Sequence, residues 1–131
     1  MDILARRLLI LVVDDDTRTG RVLMRMLHDD GFDTELAADG AAAIQRLAQD
    51  PIPDVLITDL QLPHADGFSV AAFARSREPK LPVFVVTGYP EIAATMRGKL
   101  TPEPSVYPKP FEYAELSEEI RRSVSGDRNV R

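Results

Sequence analysis

The most constraining feature of this chain is a run of six consecutive apolar residues near its start. Residues 8–13 read Leu-Leu-Ile-Leu-Val-Val, and a short run without alternating polar residues is typical of a strand that is covered on both faces. Residues 55–58 and 83–86 show the same pattern, Val-Leu-Ile-Thr and Val-Phe-Val-Val. Strands covered on both faces need helices above and below the sheet, so these runs favour an α/β fold with a largely parallel sheet.

Longer segments with helical spacing separate these strands. Residues 32–36 alternate between apolar and polar side chains, which predicts a strand nearer a sheet edge, and residues 105–107 form a short fifth candidate. Gly31 is placed to end the first helix, Asp39 to cap the second, and the last helix is predicted from about 113 to 124. The predicted helices carry apolar residues at Val22, Leu23, Met26 and Leu27, at Ile44 and Leu47, at Phe68, Ala71, Ala72 and Phe73, at Ile92 and Met96, and at Leu116, Ile120 and Val124. Five repeats of strand and helix predict a doubly wound, five-stranded parallel sheet with helices on both faces.

Length and composition fit one domain without a nucleic-acid surface. The chain has 131 residues, enough for one core. We expect residues 1–131 to form a single domain, with the core at about 8–124 and a frayed polar tail at 125–131. Because 16 Lys and Arg stand against 21 Asp and Glu, for a formal charge of −5, the clustered basic charge that nucleic acid requires is not expected. The chain has no cysteine, which excludes a disulfide framework and a cysteine-based zinc site.

The sequence predicts neither a membrane span nor a secretion signal. The apolar run at residues 8–13 is much too short to cross a bilayer. Basic residues precede this run, as they do in a signal peptide, but three aspartates follow it where a small-residue cleavage site belongs. We therefore expect a cytoplasmic protein.

Four of the predicted strands end in side chains suited to phosphate or magnesium chemistry. Residues 14–16, all aspartate, follow the first strand; Asp59 ends the third, Thr87 the fourth and Lys109 the fifth. Ligands of open parallel sheets bind at the carboxyl ends of the strands, so we expect these groups to meet. A hard divalent cation relieves the repulsion within a carboxylate cluster, and a carboxylate can itself be the nucleophile that forms an aspartyl phosphate.

Each of these positions also has an ordinary structural explanation. Residues 14–16 could simply cap a helix, and Asp59 could begin a turn. Thr87 could be a common strand residue and Lys109 a solvated surface lysine. The coincidence of all four at strand ends favours one functional site over four separate explanations.

In this order and spacing, the motifs resemble the receiver domain of bacterial two-component response regulators, the CheY-like domains. The motifs are Leu-Val-Val-Asp-Asp-Asp at 11–16, Asp-Leu-Gln-Leu-Pro-His-Ala-Asp-Gly at 59–67, Val-Val-Thr-Gly at 85–88 and Lys-Pro-Phe at 109–111. Each motif alone is weak, but together they are highly specific, and the similarity covers nearly the whole chain. The resemblance implies a flavodoxin-like fold with strand order 2-1-3-4-5.

The resemblance also implies roles for the acidic residues. Asp59 corresponds to the phosphoacceptor, which receives its phosphoryl group from a sensor histidine kinase or a phosphotransfer protein. Asp14, Asp15, Asp59 and the backbone carbonyl of Gln61 correspond to the magnesium site. Within that site, Asp15 corresponds to a direct ligand and Asp14 to one that acts through water.

The resemblance assigns the remaining site residues and an output face. Thr87 corresponds to the hydroxyl that moves toward the phosphoryl group and Lys109 to the lysine that pairs with it, and the Lys109–Pro110 bond is expected to be cis. A downstream protein is expected to bind the face formed by the fourth helix, fifth strand and fifth helix. The proline-rich segment 100–106 could be a stiff docking edge of that face or could merely end the fourth helix.

Two positions depart from the family pattern. The family usually has Phe or Tyr three residues before the lysine, whereas this chain has Val106, and Tyr107 falls one residue later on the opposite face of the strand. Tyr89 occupies a position that tunes access to the phosphoryl group in the family. We therefore expect phosphorylation to cause a modest shift of populations without a large rearrangement.

Three classes of function compete for this sequence. A phosphorylation switch catalyses its own modification but is no turnover enzyme. A haloacid-dehalogenase-like phosphatase or phosphomutase would carry its nucleophile on the first strand as Asp-x-Asp-x-Thr/Val, whereas the fifth residue of this motif is Arg18 and the chain has no room for a cap. A degenerate receiver that acts as a scaffold is consistent with Val106 but not with the complete site. The switch is therefore the leading prediction.

Overall fold

Within the part of the chain that the structure describes, five parallel strands alternate with five helices, as the sequence predicts. The structure, a computed structural model, describes residues 7–129, with side chains as far as residue 125. The elements are β1 (Leu9–Val13), α1 (Thr17–Asp29), β2 (Asp33–Ala37), α2 (Gly40–Leu47), β3 (Val55–Asp59), α3 (Gly67–Arg77), β4 (Val83–Thr87), α4 (Pro90–Ala94), β5 (Ser105–Pro108) and α5 (Tyr113–Asn129). The strand order β2-β1-β3-β4-β5 confirms the doubly wound prediction, with β2 and β5 at the edges.

The core lies in two layers, one on each face of the sheet. Alternate strand residues point to opposite faces, so Leu11 joins one cluster and its neighbour Ile10 the other. Helices α2, α3 and α4 pack on the first face and α1 and α5 on the second. Because both faces are covered, the central strands contain almost no exposed position, which explains their unbroken apolar runs.

Aspartate side chains begin three of the helices. Asp16, Asp39 and Asp66 accept a hydrogen bond from the backbone N–H three residues later and so cap α1, α2 and α3. Gly31 has a φ of +102° just beyond α1, as expected of a glycine that ends a helix. Helix α4 differs, because its capping position is Tyr89, which makes no side-chain hydrogen bond to the helix.

The apolar stripe predicted for α1 is wrong in half of its positions. Val22 and Met26 are 58% and 38% exposed. Leu23 and Leu27 pack into the core as predicted, together with Gly20 and Met24. A β-carbon on Gly20 would lie 2.8 Å from Leu36 Cδ1, so the helix approaches the sheet closely along the line of Gly20. The side chains of Val22 and Met26 therefore point outward.

The ends of the chain are described only in part. Helix α5 continues to Asn129 beyond its predicted end near residue 124, since no proline interrupts it. The last two residues of the predicted frayed tail, 130–131, and the basic start at 1–6 lie outside the described residues. No helix within residues 7–129 is long and apolar enough to span a membrane.

Candidate functional site

Three carboxylates meet at the carboxyl ends of β1 and β3. Asp14 and Asp15 follow β1, and Asp59 is the last residue of β3. Each offers a carboxylate oxygen, and these oxygens lie within 4.8 Å of one another. β1 and β3 are hydrogen-bonded neighbours in the sheet, so their ends bring together residues that are far apart in sequence. Hard oxygen ligands at this spacing suit a divalent cation such as Mg²⁺.

Lys109 supplies a positive charge to the same cluster. Its Nζ donates to Asp59 Oδ2 at 3.0 Å and lies 3.8 Å from Asp14 Oδ2. The backbone N–H of Lys109 donates to the carbonyl of Thr87 at 2.8 Å, which ties the end of β5 to the end of β4. The Lys109–Pro110 bond is cis, which confirms that prediction.

The electrostatics of the cluster are unbalanced, because one lysine faces several carboxylates. Burial raises the pKa of Asp14, whose residue is only 7% exposed, and the nearby carboxylate of Asp59 raises it further. The backbone N–H of Asp16 and the charge of Lys109 act in the opposite direction on the pKa of Asp14. A divalent cation held between these oxygens would favour the ionised form of Asp14.

The three consecutive aspartates do not share one role. Asp16 accepts hydrogen bonds from the backbone N–H and the hydroxyl of Thr19, which lower its pKa, and it caps α1. The capping interpretation is therefore confirmed for Asp16 alone. Asp14 accepts the backbone N–H of Asp16 at 2.9 Å and points into the acidic cluster, while Asp15 is exposed at its rim.

Thr87 lies buried at the end of β4, beside the strand that carries Asp59. The register pairs Asp59 with Val86, so Thr87 is one residue beyond the acidic position on the adjacent strand. Its Oγ1 accepts the backbone N–H of Tyr89 at 2.9 Å. Within residues 7–125 this hydroxyl donates no hydrogen bond, so its hydrogen can be donated to a ligand placed at the strand ends.

The two residues before Pro108 face opposite sides of the sheet, as predicted. The ring of Tyr107 packs against Phe84 and Phe111 on the face covered by α5, and its hydroxyl donates to Glu119. Burial and the carboxylate of Glu119 raise the pKa of Tyr107. Val106 lies on the other face, beside α4, and is 43% exposed. Tyr107 therefore cannot take the place that an aromatic residue at 106 would have near Thr87.

Two glycines that sequence reasoning missed bring helices close to this site. A β-carbon on Gly67 would lie 2.0 Å from the carbonyl oxygen of Asp59, and one on Gly40 would lie 2.0 Å from that of Ala65. Only glycine therefore lets α3 and α2 approach the loop that follows β3. Gln61 lies in this loop, two residues after Asp59, and the role of its carbonyl stays a prediction. A glycine at each helix start was the visible signal, but it indicated only a helix boundary.

Comparison with known proteins identifies the family. The family model that describes the response regulator receiver domain matches residues 10–121 of this chain. The chain belongs to the response regulator receiver domain family. It is 37% identical over 112 residues to the response regulator MprA of Mycobacterium leprae (strain TN), a match that covers 86% of this chain and 49% of that protein. MprA of Mycobacterium tuberculosis (strain ATCC 25177 / H37Ra) is 36% identical over the same length. The chain thus spans about half the length of the curated relatives it matches.

Solved structures agree with this assignment. A response regulator receiver protein from Sinorhizobium medicae WSM419 has a TM-score of 0.83 and 26% identity, over 92% of this chain and 96% of that one. A response regulator described as putative, from Chloroflexus aurantiacus J-10-fl, has a TM-score of 0.79 and 29% identity, over 92% and 99%. TrrA from Thermotoga maritima, solved in complex with Mg²⁺-BeF, has a TM-score of 0.74 over 88% and 98%, but at 24% identity this likeness concerns the fold alone.

Membership in this family determines the general function of the receiver domain. Response regulator receiver domains belong to two-component signalling, where they interact with histidine kinases or phosphotransfer proteins. They are signalling switches and not turnover enzymes. The competing phosphatase or phosphomutase interpretation is therefore set aside.

Proposed function

We propose that this receiver domain accepts a phosphoryl group on Asp59 from a histidine kinase or a phosphotransfer protein. The contact between Asp59 Oδ2 and Lys109 Nζ, at 3.0 Å and beside two further carboxylates, carries this proposal. A nucleophilic carboxylate needs a neighbouring cation to stabilise the charge of the arriving phosphoryl oxygens. Asp59 is the carboxylate that faces both Lys109 and the pair formed by Asp14 and Asp15.

The residues of the cluster fit a magnesium ion. Asp14, Asp15 and Asp59 offer carboxylate oxygens, and the backbone carbonyl of Gln61 would complete a set of hard ligands. This set leaves room for retained water, which Mg²⁺ prefers. When bound, the cation supplies positive charge that neutralises the phosphoryl oxygens and the carboxylate cluster. Asp14 would then be ionised despite its burial.

The chemistry is a transfer from one nucleophile to another. A carboxylate oxygen of Asp59 forms a bond to phosphorus while the bond from phosphorus to the donor nitrogen or oxygen breaks, and the leaving group keeps that electron pair. Lys109 then pairs with a phosphoryl oxygen in place of the Asp59 carboxylate. The Thr87 hydroxyl donates to a second oxygen while it still accepts the N–H of Tyr89.

The output of this switch is a protein–protein contact on the face formed by α4, β5 and α5. Thr87 ends β4 and Lys109 directly follows β5, the two strands next to α4, so movement toward the phosphoryl group acts first on this side of the sheet. Val106, in the middle of β5, is an exposed apolar residue on that face. The aromatic side chain that would couple Thr87 to the face is missing, so a modest population shift is expected.

Mass spectrometry after incubation with acetyl phosphate and Mg²⁺ tests the acceptor. The wild-type chain is expected to gain one phosphoryl group, and Asp59→Asn none. Asp66→Asn is the matched control, since asparagine keeps the cap of α3 and leaves the cluster unchanged. Asp15→Ala is expected to abolish Mg²⁺ binding and strongly slow the labelling. A phosphoryl group that persists in Asp59→Asn and maps to Asp14 or Asp15 contradicts the assignment.

A further inference from the structure

Few backbone hydrogen bonds can hold the end of β5, where Lys109 lies. The lysine stands between Pro108 and Pro110, and since proline has no N–H, Lys109 supplies the one backbone donor of residues 108–110. That N–H donates to the carbonyl of Thr87 at 2.8 Å. The side chain of Lys109 is 32% exposed, and β5 is an edge strand. Contacts outside the sheet therefore contribute to where the lysine lies.

One carboxylate attaches this strand to α5. The hydroxyls of Ser105 and Tyr107 donate to the two carboxylate oxygens of Glu119, Oε2 and Oε1. Alternate residues of a strand lie on the same face, so both donors come from the side of β5 that α5 covers. Glu119 precedes Ile120, which has no exposed surface, so the acceptor stands on a part of α5 that is fixed to the core.

The ring of Tyr107 extends this attachment to the lysine. Its centroid lies 6.4 Å from that of Phe84 on β4 and 6.1 Å from that of Phe111. Tyr107 precedes Lys109 by two residues, and Phe111 follows it by two. One ring therefore contacts the chain on both sides of the lysine. Because packed side chains move together, displacement of this ring would displace Lys109 as well.

The hydrogen bonds to Glu119 suit a positioning role. A carboxylate accepts stronger hydrogen bonds than a neutral group does. Burial and the carboxylate of Glu119 raise the pKa of Tyr107, so its hydroxyl remains a donor at neutral pH. The carbonyl of Glu115, 3.3 Å from the same hydroxyl, is the weaker alternative acceptor. Two bonds from one strand restrict both the distance of β5 from α5 and its rotation.

We propose that Glu119 is a positioning residue for phosphoryl transfer, which keeps Lys109 opposite Asp59 through the hydroxyls and the ring that it holds on β5. In the unmodified domain this geometry is the 3.0 Å contact between Lys109 Nζ and Asp59 Oδ2. The inference rests on the proposed function, because Lys109 is the side chain that meets the phosphoryl group there. It assigns a part in that chemistry to a residue of α5 outside the acidic cluster.

Labelling kinetics with acetyl phosphate and Mg²⁺ test the proposal. Glu119→Ala removes both acceptor oxygens and is expected to lower the maximal rate of Asp59 labelling about tenfold, since small displacements of a charge-stabilising group cost rate. The half-saturating concentration of acetyl phosphate and the Mg²⁺ affinity are expected to stay within about twofold. Glu119→Gln keeps one acceptor oxygen and is expected to restore most of the rate. Glu118→Ala, which loses an exposed ion pair with Arg122, is the matched control and is expected to label like wild type.

The NMR signal of the Lys109 ε-methylene separates positioning from general loosening. The chain has three lysines, of which Lys80 and Lys99 are exposed and serve as internal references. In Glu119→Ala the Lys109 signal is expected to move toward theirs. Tyr107→Phe keeps the ring but removes one hydroxyl, and is expected to slow labelling about threefold. It is expected to add little to Glu119→Ala, because both changes remove the same hydrogen bond.

Three results overturn the proposal. It fails if Glu119→Ala labels within about twofold of wild type, or if the Lys109 signal of that variant stays in place. It fails equally if Mg²⁺ affinity falls in parallel with the rate, because the loss would then come from a distorted acidic cluster. Absence of labelling at Asp59 in the wild-type chain counts against the proposed function alone. The Lys109 signal of the unmodified chain still decides whether Glu119 positions the lysine.

Discussion

The two helices on either side of β5 in the sequence, α4 and α5, are attached to the sheet in very different ways. Helix α5 buries Leu116 and Ile120 completely and adds a polar anchor at the end of α1. In that anchor Asp30 accepts the hydroxyls of Tyr113, at 2.6 Å, and Ser117, at 3.0 Å. Arg121 adds an ion pair to Asp30 at 3.4 Å and lies 5.4 Å from the ring centroid of Phe32.

Helix α4 has no comparable anchor. It contains five residues, none of them buried, and no side chain caps its N-terminus. The segment that follows α4 is held by a side chain of another helix. Buried Arg75 on α3 donates to the carbonyl of Pro102 in this segment and to that of Leu81 before β4, both at 2.7 Å. The strand that this segment enters, β5, is an edge strand.

This difference indicates where the domain can change shape at low cost. Segments with few buried apolar contacts open at low free energy, while well-packed helices open only with the whole domain. Thr87 ends β4 and Lys109 directly follows β5, the two strands nearest α4. Under the proposed function, a signal generated at these residues would act on the loosely held side of the sheet, while α5 holds the other side in place.

Matched truncations of one isoleucine in each helix give the largest expected contrast. Ile120→Ala removes a side chain with no exposed surface and is expected to lower the free energy of unfolding by about 3 kcal/mol. Ile92→Ala makes the same chemical change on half-buried α4 and is expected to cost about 1 kcal/mol. Urea unfolding of both variants measures the difference. Equal losses would show that α4 is packed as firmly as α5, and the comparison would fail.

The polar anchor of α5 is expected to give a smaller effect that depends on pH. The hydrogen bond from Tyr113 is the main cause that lowers the pKa of Asp30, with Ser117 and Arg121 adding to it. The folded state thus favours the ionised carboxylate, and this stabilisation is present above the ordinary pKa of aspartate and is lost as pH falls through the lowered value. Asp30→Asn, which keeps an acceptor oxygen, is expected to cost about 1 kcal/mol at neutral pH, given that the carboxylate is partly exposed.

Unfolding of Asp30→Asn and wild type across the acid range measures this prediction. The stability difference is expected to shrink steadily below about pH 4. Asp29→Asn is the matched control, because Asp29 is an exposed neighbour in the last turn of α1 and makes no hydrogen bond or ion pair by its side chain within the described residues. A loss that stays constant between neutral pH and the acid range would mean that the charge of Asp30 contributes nothing to the anchor.

The sequence predicted the sheet and the meeting of the acidic residues because both follow from short-range patterns. Unbroken apolar runs require cover on both faces, and parallel strands bring their carboxyl ends together whatever the loops between them do. Asp14, Asp15 and Asp59 therefore meet where strand ends alone place them. The opposite directions of Val106 and Tyr107 follow from strand alternation in the same way.

The features that the sequence did not predict depend on packing at a distance. The exposure of Val22 follows from the close approach of Gly20 to Leu36, two residues on different elements. The separate role of Asp16 within the three aspartates became visible only from its hydrogen bonds to Thr19. Helix α4 ends at Ala94, before Met96, which the sequence placed within it, and the segment that follows is held by Arg75 through the carbonyl of Pro102, a contact that no local pattern of residues predicts.

The smallest expected effect is the response of the two helices to phosphorylation. In the proposed switch Val106 stands where the family pattern has an aromatic residue, so Thr87 would move toward the phosphoryl group without turning a large side chain, and only a modest population shift is expected. Amide hydrogen exchange of residues 90–104 is expected to change about threefold on phosphorylation, which corresponds to less than 1 kcal/mol. Exchange within residues 113–124 is expected to stay within about twofold, because the Asp30 anchor is unaffected. Asp59→Asn under the same conditions is the control. A larger change in α5 than in α4 would mean that the signal travels through Tyr107 and Glu119, on the opposite face of the sheet.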